Sequence, residues 1–268
     1  MKRIIVLATV MAAAPLALAQ LPFDPTSIFK GRTPSVPSTS GTGTSTDNGK
    51  ILSGAKKIVS GSTGIGLQQE MSIGGSVAVD IVAADGGIWH NAEATRRVNL
   101  IGKSLVRYAD RSSLNFRFGI LDTADINGFS APGGYVFITR GAYQAAQSDD
   151  QLAGILAHEI IHVSRRHALR IISRNEFVSG MSEVASGASS EFRQYDVGVA
   201  DVSRTLLKNG YDRGTEFDAD KRAASLAASA GFAKNGLLEF LTNLQARGGS
   251  KSTFSTHPSL ADRIAKLQ

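Results

Sequence analysis

The chain has 268 residues, a hydrophobic fraction of 42% and a formal charge of +6, enough for one large domain or two small ones with an ordinary core. It contains no cysteine, which excludes a disulfide framework and any thiolate metal site, so a metal would have to be held by nitrogen and oxygen. The cations are dispersed, as in Arg96-Arg97, Arg165-Arg166 and Lys221-Arg222, without a basic stripe interleaved with aromatics, and no nucleic-acid partner is expected.

Residues 1–19 read as a signal peptide. Lys2 and Arg3 form its charged start, Ile4 to Ala14 its apolar core, and Ala17-Leu18-Ala19 an A-x-A cleavage site that leaves Gln20 first. The apolar run is short for a membrane span, and no later segment is long and apolar enough to cross a bilayer. A periplasmic or secreted address is therefore expected, with no transmembrane segment in the mature chain. Loss of Lys2 and Arg3 would leave a charge of +4, compatible with loose, peripheral attraction to an anionic membrane surface. Residues 20–50 are expected to be a flexible segment, rich in Pro, Ser, Thr and Gly, with little to bury. Residues 51–268 then form the folded domain.

Within it, Gly61, Gly64 and Gly66 are read as a turn. Helices are predicted over Gln68–Ala84 and Asn91–Asp110, the second with Val98, Ile101, Leu105, Val106 and Tyr108 on its apolar side. His90 precedes it in a capping or surface role. Phe116, Phe118 and Ile120 alternate as in a strand, and a short strand follows near Asp125–Ser130. Pro132-Gly133-Gly134 then marks a turn into Tyr135–Thr139, which is read as an edge strand. Such an edge can take an extended peptide as an extra strand; the alternative is a plain hairpin.

The stretch His158-Glu159-Ile160-Ile161-His162 reads H-E-x-x-H. On a helix, residues four apart share a face, so both imidazoles can point at one metal ion. Glu159, about a quarter-turn round, is placed beside the metal without ligating it. That layout suits zinc-assisted hydrolysis with Glu159 as general base. The alternative is a pair of structural histidines hydrogen-bonded in a helical core. Ser148 followed by Asp149, Asp150 and Gln151 reads as the N-cap and acidic first turn of this helix, which is expected to continue to about Ile172. His167, five residues after His162 and roughly 140° round, cannot share the metal on a straight helix and is read as structural.

Residues 173–212 read either as a loosely packed lid or as an ordinary helical connection. A helix from Tyr211-Asp212 to Ala230 follows, closed by Gly231. Glu216 and Asp220 share one of its faces: Glu216 could be a third metal ligand, and Asp220 could accept the free ring N–H of a bound histidine. The alternative is an acidic face paired with Arg213, Lys221 and Arg222, and Asp218 points elsewhere, towards solvent. A helix over Lys234–Arg247, a rigid His257-Pro258 turn with a capping histidine, and a last helix carrying Leu260, Ile264 and Leu267 complete the chain.

Four separated stretches, Asn127–Gly141, His158–His167, Arg213–Asp220 and Thr256–Arg263, together resemble the gluzincin metallopeptidases typified by the type I CAAX prenyl endopeptidase, HtpX and the periplasmic outer-membrane-assembly proteases. The resemblance covers roughly Glu70 to Leu267. It implies a mostly helical α+β, zincin-like metallopeptidase domain with a small β-sheet whose edge strand borders the active-site cleft. It implies one zinc ion held by His158, His162 and Glu216, with Glu159 as general base and Asp220 behind the ligands. His257 would approach the metal, to stabilise the transition state or to cap it at rest, and Arg263 would brace the site. Asn127, Gly133, Gly134, Tyr135 and Phe137 would lie along the substrate strand. Polypeptide substrates, misfolded or misassembled envelope proteins among them, are the implied targets. The transmembrane helices and the C-terminal repeat domain of those relatives are not seen in this sequence, so direct docking on the envelope assembly machinery is not evident. A latent zinc protein acting as a chaperone-like binding module is the alternative function.

Overall fold

The computed structural model describes residues 65–171, 199–248 and 256–268. The expected signal peptide, the flexible segment, the turn glycines Gly61 and Gly64, and the stretch 173–198 of the segment read as a lid or a helical connection lie outside the described residues. Among the described residues the element order is α1 (Leu67–Ala84), α2 (Ala92–Val106), β1 (Arg117–Leu121), β2 (Gly128–Ala131), a 3-10 turn (Pro132–Gly134), β3 (Tyr135–Thr139), α3 (Arg140–Ala145), α4 (Asp149–Ser164), a π turn (Thr205–Asn209), α5 (Arg213–Ser229), α6 (Gly236–Ala246) and α7 (Leu260–Leu267). This is the mostly helical α+β arrangement the sequence implies.

Side-chain caps set most helix starts. Asn91 accepts from the amide of Ala94 at 3.0 Å, Ser148 from Gln151 at 3.2 Å, Asp212 from Thr215 at 3.0 Å and Ser259 from Asp262 at 3.2 Å, each satisfying an amide that has no partner inside its own helix. The short α3 was not anticipated. Its signal was Thr139, whose Oγ1 accepts from the amide of Ala142 at 3.0 Å and so caps the helix directly at the end of β3.

The sheet has the order β1-β3-β2. β1 and β3 are parallel, with Arg117 opposite Tyr135 and Ile120 opposite Ile138; β2 and β3 are antiparallel, with Phe129 opposite Phe137. This corrects the expectation that Tyr135–Thr139 is an edge strand. β3 has a neighbour on each side, so its backbone groups are spoken for, and β2 is the edge on the α4 side. The Pro-Gly-Gly signal was real but belongs to the tight reversal between β2 and β3. There Gly133 and Gly134 take φ of 76° and 103°, values open to glycine at no steric cost.

α4 is the centre of the packing. Every residue from Gln151 to Ser164 is buried, which follows from its apolar sequence on all sides. It is flanked by α2, α5, α6 and the sheet, and its neighbours share one hydrophobic core. Close helix contact is permitted by Gly154, where a Cβ would stand 2.5 Å from the amide nitrogen of Leu237. A second core joins α1, the other face of the sheet, and Val202 and Leu206 of the segment before α5. That part of the segment read as a lid or a helical connection is thus built into the core, as a connection would be.

α4 ends at Ser164, short of the predicted Ile172. Arg166 takes a left-handed φ of 56°, rare for a residue with a side chain. Residues 167–171 then resume a helix in a new direction.

Candidate metal centre

The i,i+4 spacing on α4 brings the Nε2 atoms of His158 and His162 to 3.0 Å from one another. Burial of both residues in an otherwise apolar helix demands partners for their ring nitrogens, and each ring has one behind it. Nδ1 of His158 is 2.8 Å from Oδ1 of Asp220. Nδ1 of His162 is 2.9 Å from Nδ1 of His167. The two Nε2 atoms are left facing a common point.

α5 lays Glu216 across that point. Its Oε2 is 3.5 Å from Nε2 of His158 and its Oε1 is 3.7 Å from Nε2 of His162. Oε1 is buried and makes no hydrogen bond. Around a tetrahedral ion with ligand bonds of about 2.0–2.1 Å, neighbouring ligand atoms stand about 3.3 Å apart. The three observed separations of 3.0, 3.5 and 3.7 Å bracket that value. A nitrogen, nitrogen and oxygen donor set with a buried, unbonded carboxylate oxygen fits zinc, and His158, His162 and Glu216 also form a set of mutually close potential ligands.

Asp220, one turn beyond Glu216 on the same face, is clamped in turn by Arg263 of α7. The guanidinium donates to both its oxygens, at 2.9 Å from Nε and 2.6 Å from Nη2. Burial by itself would raise the Asp220 carboxyl, but the Arg263 charge beside it and the contact with His158 hold it well below the usual range. His158 shows the reciprocal effect: burial disfavours its charged form, yet the Asp220 carboxylate raises its pKa to about 9. For Glu216, burial acts upward and is overcome by His257 and His158, so the carboxylate stays ionised well below its ordinary pKa. Burial drives His162 well down, reinforced by the neighbouring imidazoles.

Glu159 lies beside the histidines, as expected one position off their face. Ser130 of β2 donates to its Oε2 at 2.8 Å, while Oε1 is buried without a hydrogen bond. A carboxylate held by one oxygen and open at the other is suited to take a proton. His257 does not cap α7, whose N-cap is Ser259. Its Nδ1 instead sits 2.5 Å from Oε2 of Glu216, which brings this residue too to the same cluster. Asp218 faces solvent and pairs with Arg222 at 2.7 Å. His90 is exposed, and the cap of α2 is Asn91.

The residues expected along a substrate strand divide. β2, next to Asn127, packs on Glu159 through Gly128 and Ser130. Gly133 packs against Met71 of α1 and donates to Oε1 of Glu70 at 3.3 Å. Tyr135 and Phe137 lie on the central strand, Tyr135 with its ring under the guanidinium of Arg117 at 5.1 Å and Phe137 in the second core.

Two contributors escaped the sequence reading. His167 reaches His162 because the break at Arg166 swings it back. Tyr211 lays its ring flat on His162, with centroids 4.5 Å apart and planes at 13°. Its position just before the Glu216 helix was the only signal available. Burial raises the Tyr211 hydroxyl pKa well above the ordinary value, helped by the charges of Glu159 and Glu216.

The chain is similar to several known proteases. The beta-barrel assembly-enhancing protease of Yersinia pestis is 27% identical over 212 residues, 75% of this chain and 43% of the relative. The mitochondrial metalloendopeptidase OMA1 of Schizosaccharomyces pombe is 29% identical over 182 residues, 65% of this chain and 52% of the relative. The metalloprotease YcaL of Escherichia coli K12 is 26% identical over 183 residues, 65% of this chain and 68% of the relative. The chain spans less than half the length of the beta-barrel assembly-enhancing proteases that it matches. The family model described as Peptidase family M48 matches residues 92–268. That match takes in α2 to α7 with every residue of the cluster, and the chain therefore belongs to peptidase family M48, a family of metal-dependent peptidases.

Proposed function

We propose that this chain is a zinc-dependent endopeptidase in which His158, His162 and Glu216 hold one metal ion and Glu159 is the general base. The observation that carries the reading is the convergence of the two Nε2 atoms, 3.0 Å apart, on the buried carboxylate of Glu216, one oxygen of which makes no hydrogen bond. A zinc ion bound there would supply a Lewis acid and a water with a pKa of about 7.

The chain's own groups do the rest. Glu159 takes the proton of the attacking water on its open Oε1, while Ser130 keeps Oε2 fixed. The same carboxyl then delivers the proton to the leaving amine. Asp220 and Arg263 hold His158 in orientation from behind. His257 is near enough to donate to an oxyanion once it leaves Glu216. Substrate backbone would add along the β2 side of the sheet, beside Glu159, as an extended strand; β3 is flanked on both sides and cannot take one.

The names of several relatives refer to β-barrel assembly. Together with the signal-peptide reading of residues 1–19, they support a periplasmic or secreted enzyme acting on misfolded or misassembled envelope proteins. No described helix is long and apolar enough to cross a membrane, and the contact proposed with the membrane or the assembly machinery is peripheral. The short His257–Glu216 contact favours a second reading, a latent zinc protein that binds unfolded chains without cutting them.

Metal content of the purified mature protein, beside Glu216→Ala and Glu159→Gln, tests both readings. One zinc per chain, lost in Glu216→Ala, with cleavage of an unfolded protein abolished in Glu159→Gln but zinc retained, is the expected result. Wild-type protein that takes up no zinc would refute the catalytic reading. Zinc-loaded protein that binds unfolded chains equally well with and without Glu159, and cuts none, would favour the binding module.

A further inference from the structure

His158 and His162 are not held alike. A carboxylate stands behind His158, whereas a second imidazole stands behind His162, with Nδ1 of His167 at 2.9 Å from Nδ1 of His162. His167 is 3% exposed and has no place in the chemistry described above. We propose that His167 is the positioning residue of His162: it accepts the Nδ1–H of His162 and thereby fixes the tautomer that leaves Nε2 open to a metal. This rests on the metal-centre reading given under the proposed function.

A hydrogen bond between two neutral imidazoles needs one donor and one acceptor, and each ring carries a single proton. If Nε2 of His162 binds a metal, its proton must sit on Nδ1. Nδ1 of His167 is then the acceptor, with its own proton on Nε2. The opposite arrangement, with His167 donating, would place the His162 proton on Nε2. That atom faces Nε2 of His158 at 3.0 Å, and a proton there would occupy the metal's position. The partner behind a ligating histidine commonly fixes its tautomer; here the partner is itself a histidine.

The backbone is shaped to deliver it. On an unbroken helix His167 would point about 140° away from His162. The left-handed Arg166, φ 56°, redirects the chain immediately before His167. A strained conformation of this kind persists only where its surroundings enforce it. Arg166 is tied down by its guanidinium, 3.2 Å from Oε2 of Glu70 and donating to the carbonyl of Ile65 at 2.5 Å. Glu70 is 1% exposed and also receives two hydrogen bonds from Arg111, at 2.7 and 3.0 Å. The stacked ring of Tyr211 holds the plane of His162, while the hydrogen bond to His167 sets its rotation within that plane.

The experiment uses the mature protein loaded with zinc, its imidazole nitrogens read by 15N NMR, and zinc affinity measured by chelator competition. In the wild type, His162 is expected to be protonated on Nδ1, with a slowly exchanging, hydrogen-bonded proton. His167→Leu is expected to weaken zinc binding about 10–100-fold, and His167→Gln, whose carbonyl oxygen can accept, to recover most of that loss. A wild-type spectrum with the His162 proton on Nε2, or a freely exchanging Nδ1 proton, would overturn the proposal without reference to any variant. Equal zinc affinity in wild type, His167→Leu and His167→Gln, with zinc still lost in His162→Ala, would overturn it and leave the metal centre standing. Zinc binding indifferent to His162→Ala would remove the metal-centre reading and this inference with it.

Discussion

Gly128 of the edge strand and Glu159 of the central helix are in direct contact: a Cβ on Gly128 would stand 2.7 Å from Oε1 of Glu159 and 3.2 Å from its carboxyl carbon. The absence of a side chain at position 128 is what gives the carboxylate its room. Gly128→Ala is expected to push Glu159 off its place while leaving His158, His162 and Glu216 untouched. A displacement of about 1 Å at a reacting group can cost about 100-fold. Cleavage of an unfolded protein substrate should fall by about 10- to 100-fold in kcat/KM, with zinc affinity unchanged. Full activity in Gly128→Ala would show that Oε1 is not the proton acceptor.

Asp220 and Arg263 form a buried pair, each about 1% exposed or less, joined by two hydrogen bonds. Removing one partner of such a pair leaves the other charge buried and unmatched, at a cost of about 3–5 kcal/mol. Arg263→Met should therefore destabilise strongly, and the double variant Arg263→Met/Asp220→Leu by less than the two single changes summed. Urea unfolding of the four proteins in a double-mutant cycle measures the coupling.

The same pair predicts a pH dependence. The folded-state pKa of Asp220 is depressed, so its contribution to stability is fully present above the unfolded-state pKa, about 3.9. It is lost as pH falls from there towards the folded value. Between pH 5 and 2, wild-type stability should fall more steeply than that of Asp220→Asn, and the gap between them should narrow. Parallel curves in urea titrations at successive pH values would contradict this assignment.

Gly154 is where α4 meets α6, and a Cβ there would stand 2.5 Å from the Leu237 amide nitrogen and 2.8 Å from its Cα. Alanine is the better helix former by about 1 kcal/mol. Overpacking against backbone, which cannot swing aside, costs about 1–3 kcal/mol or more. Gly154→Ala should lower the thermal unfolding midpoint, and a higher midpoint would mean that the two helices separate easily.

Binding of metal to the folded chain alone should stabilise it by mass action, by about 2.7 kcal/mol when free zinc is 100 times its dissociation constant. The unfolding midpoint should rise with added zinc and fall on chelation. In Glu216→Ala the zinc dependence should shift to higher concentrations.

Local patterns were legible because they depend on a few neighbouring residues. The i,i+4 pairs His158/His162 and Glu216/Asp220 follow from helix geometry alone, and so does the cap at Ser148, whereas Asn91 takes the capping place expected of His90. The alternation around Phe118 and Ile120 likewise identifies β1 without reference to anything distant. The strand order did not follow. Tyr135–Thr139 carries the signals of a strand entered through Pro-Gly-Gly, but which strands flank it is decided by pairings with residues 117–121 and 128–131. It therefore proved central where an edge was expected.

By itself, then, the sequence determined the longer helices, the faces shared by their i,i+4 pairs and the residue types available to hold a metal. Only the tertiary structure decided that His167 meets His162. That contact requires a helix broken at Arg166, and the break is anchored by Glu70, distant in sequence on another helix. A helical projection assumes an unbroken helix, so it places His167 on the wrong side. His257 is a parallel case: a histidine beside a proline looks like a helix cap until α5 and α7 pack together and set its Nδ1 against Glu216. Periodicity reports the face a residue occupies, and the long-range packing of buried charges decides what that face meets.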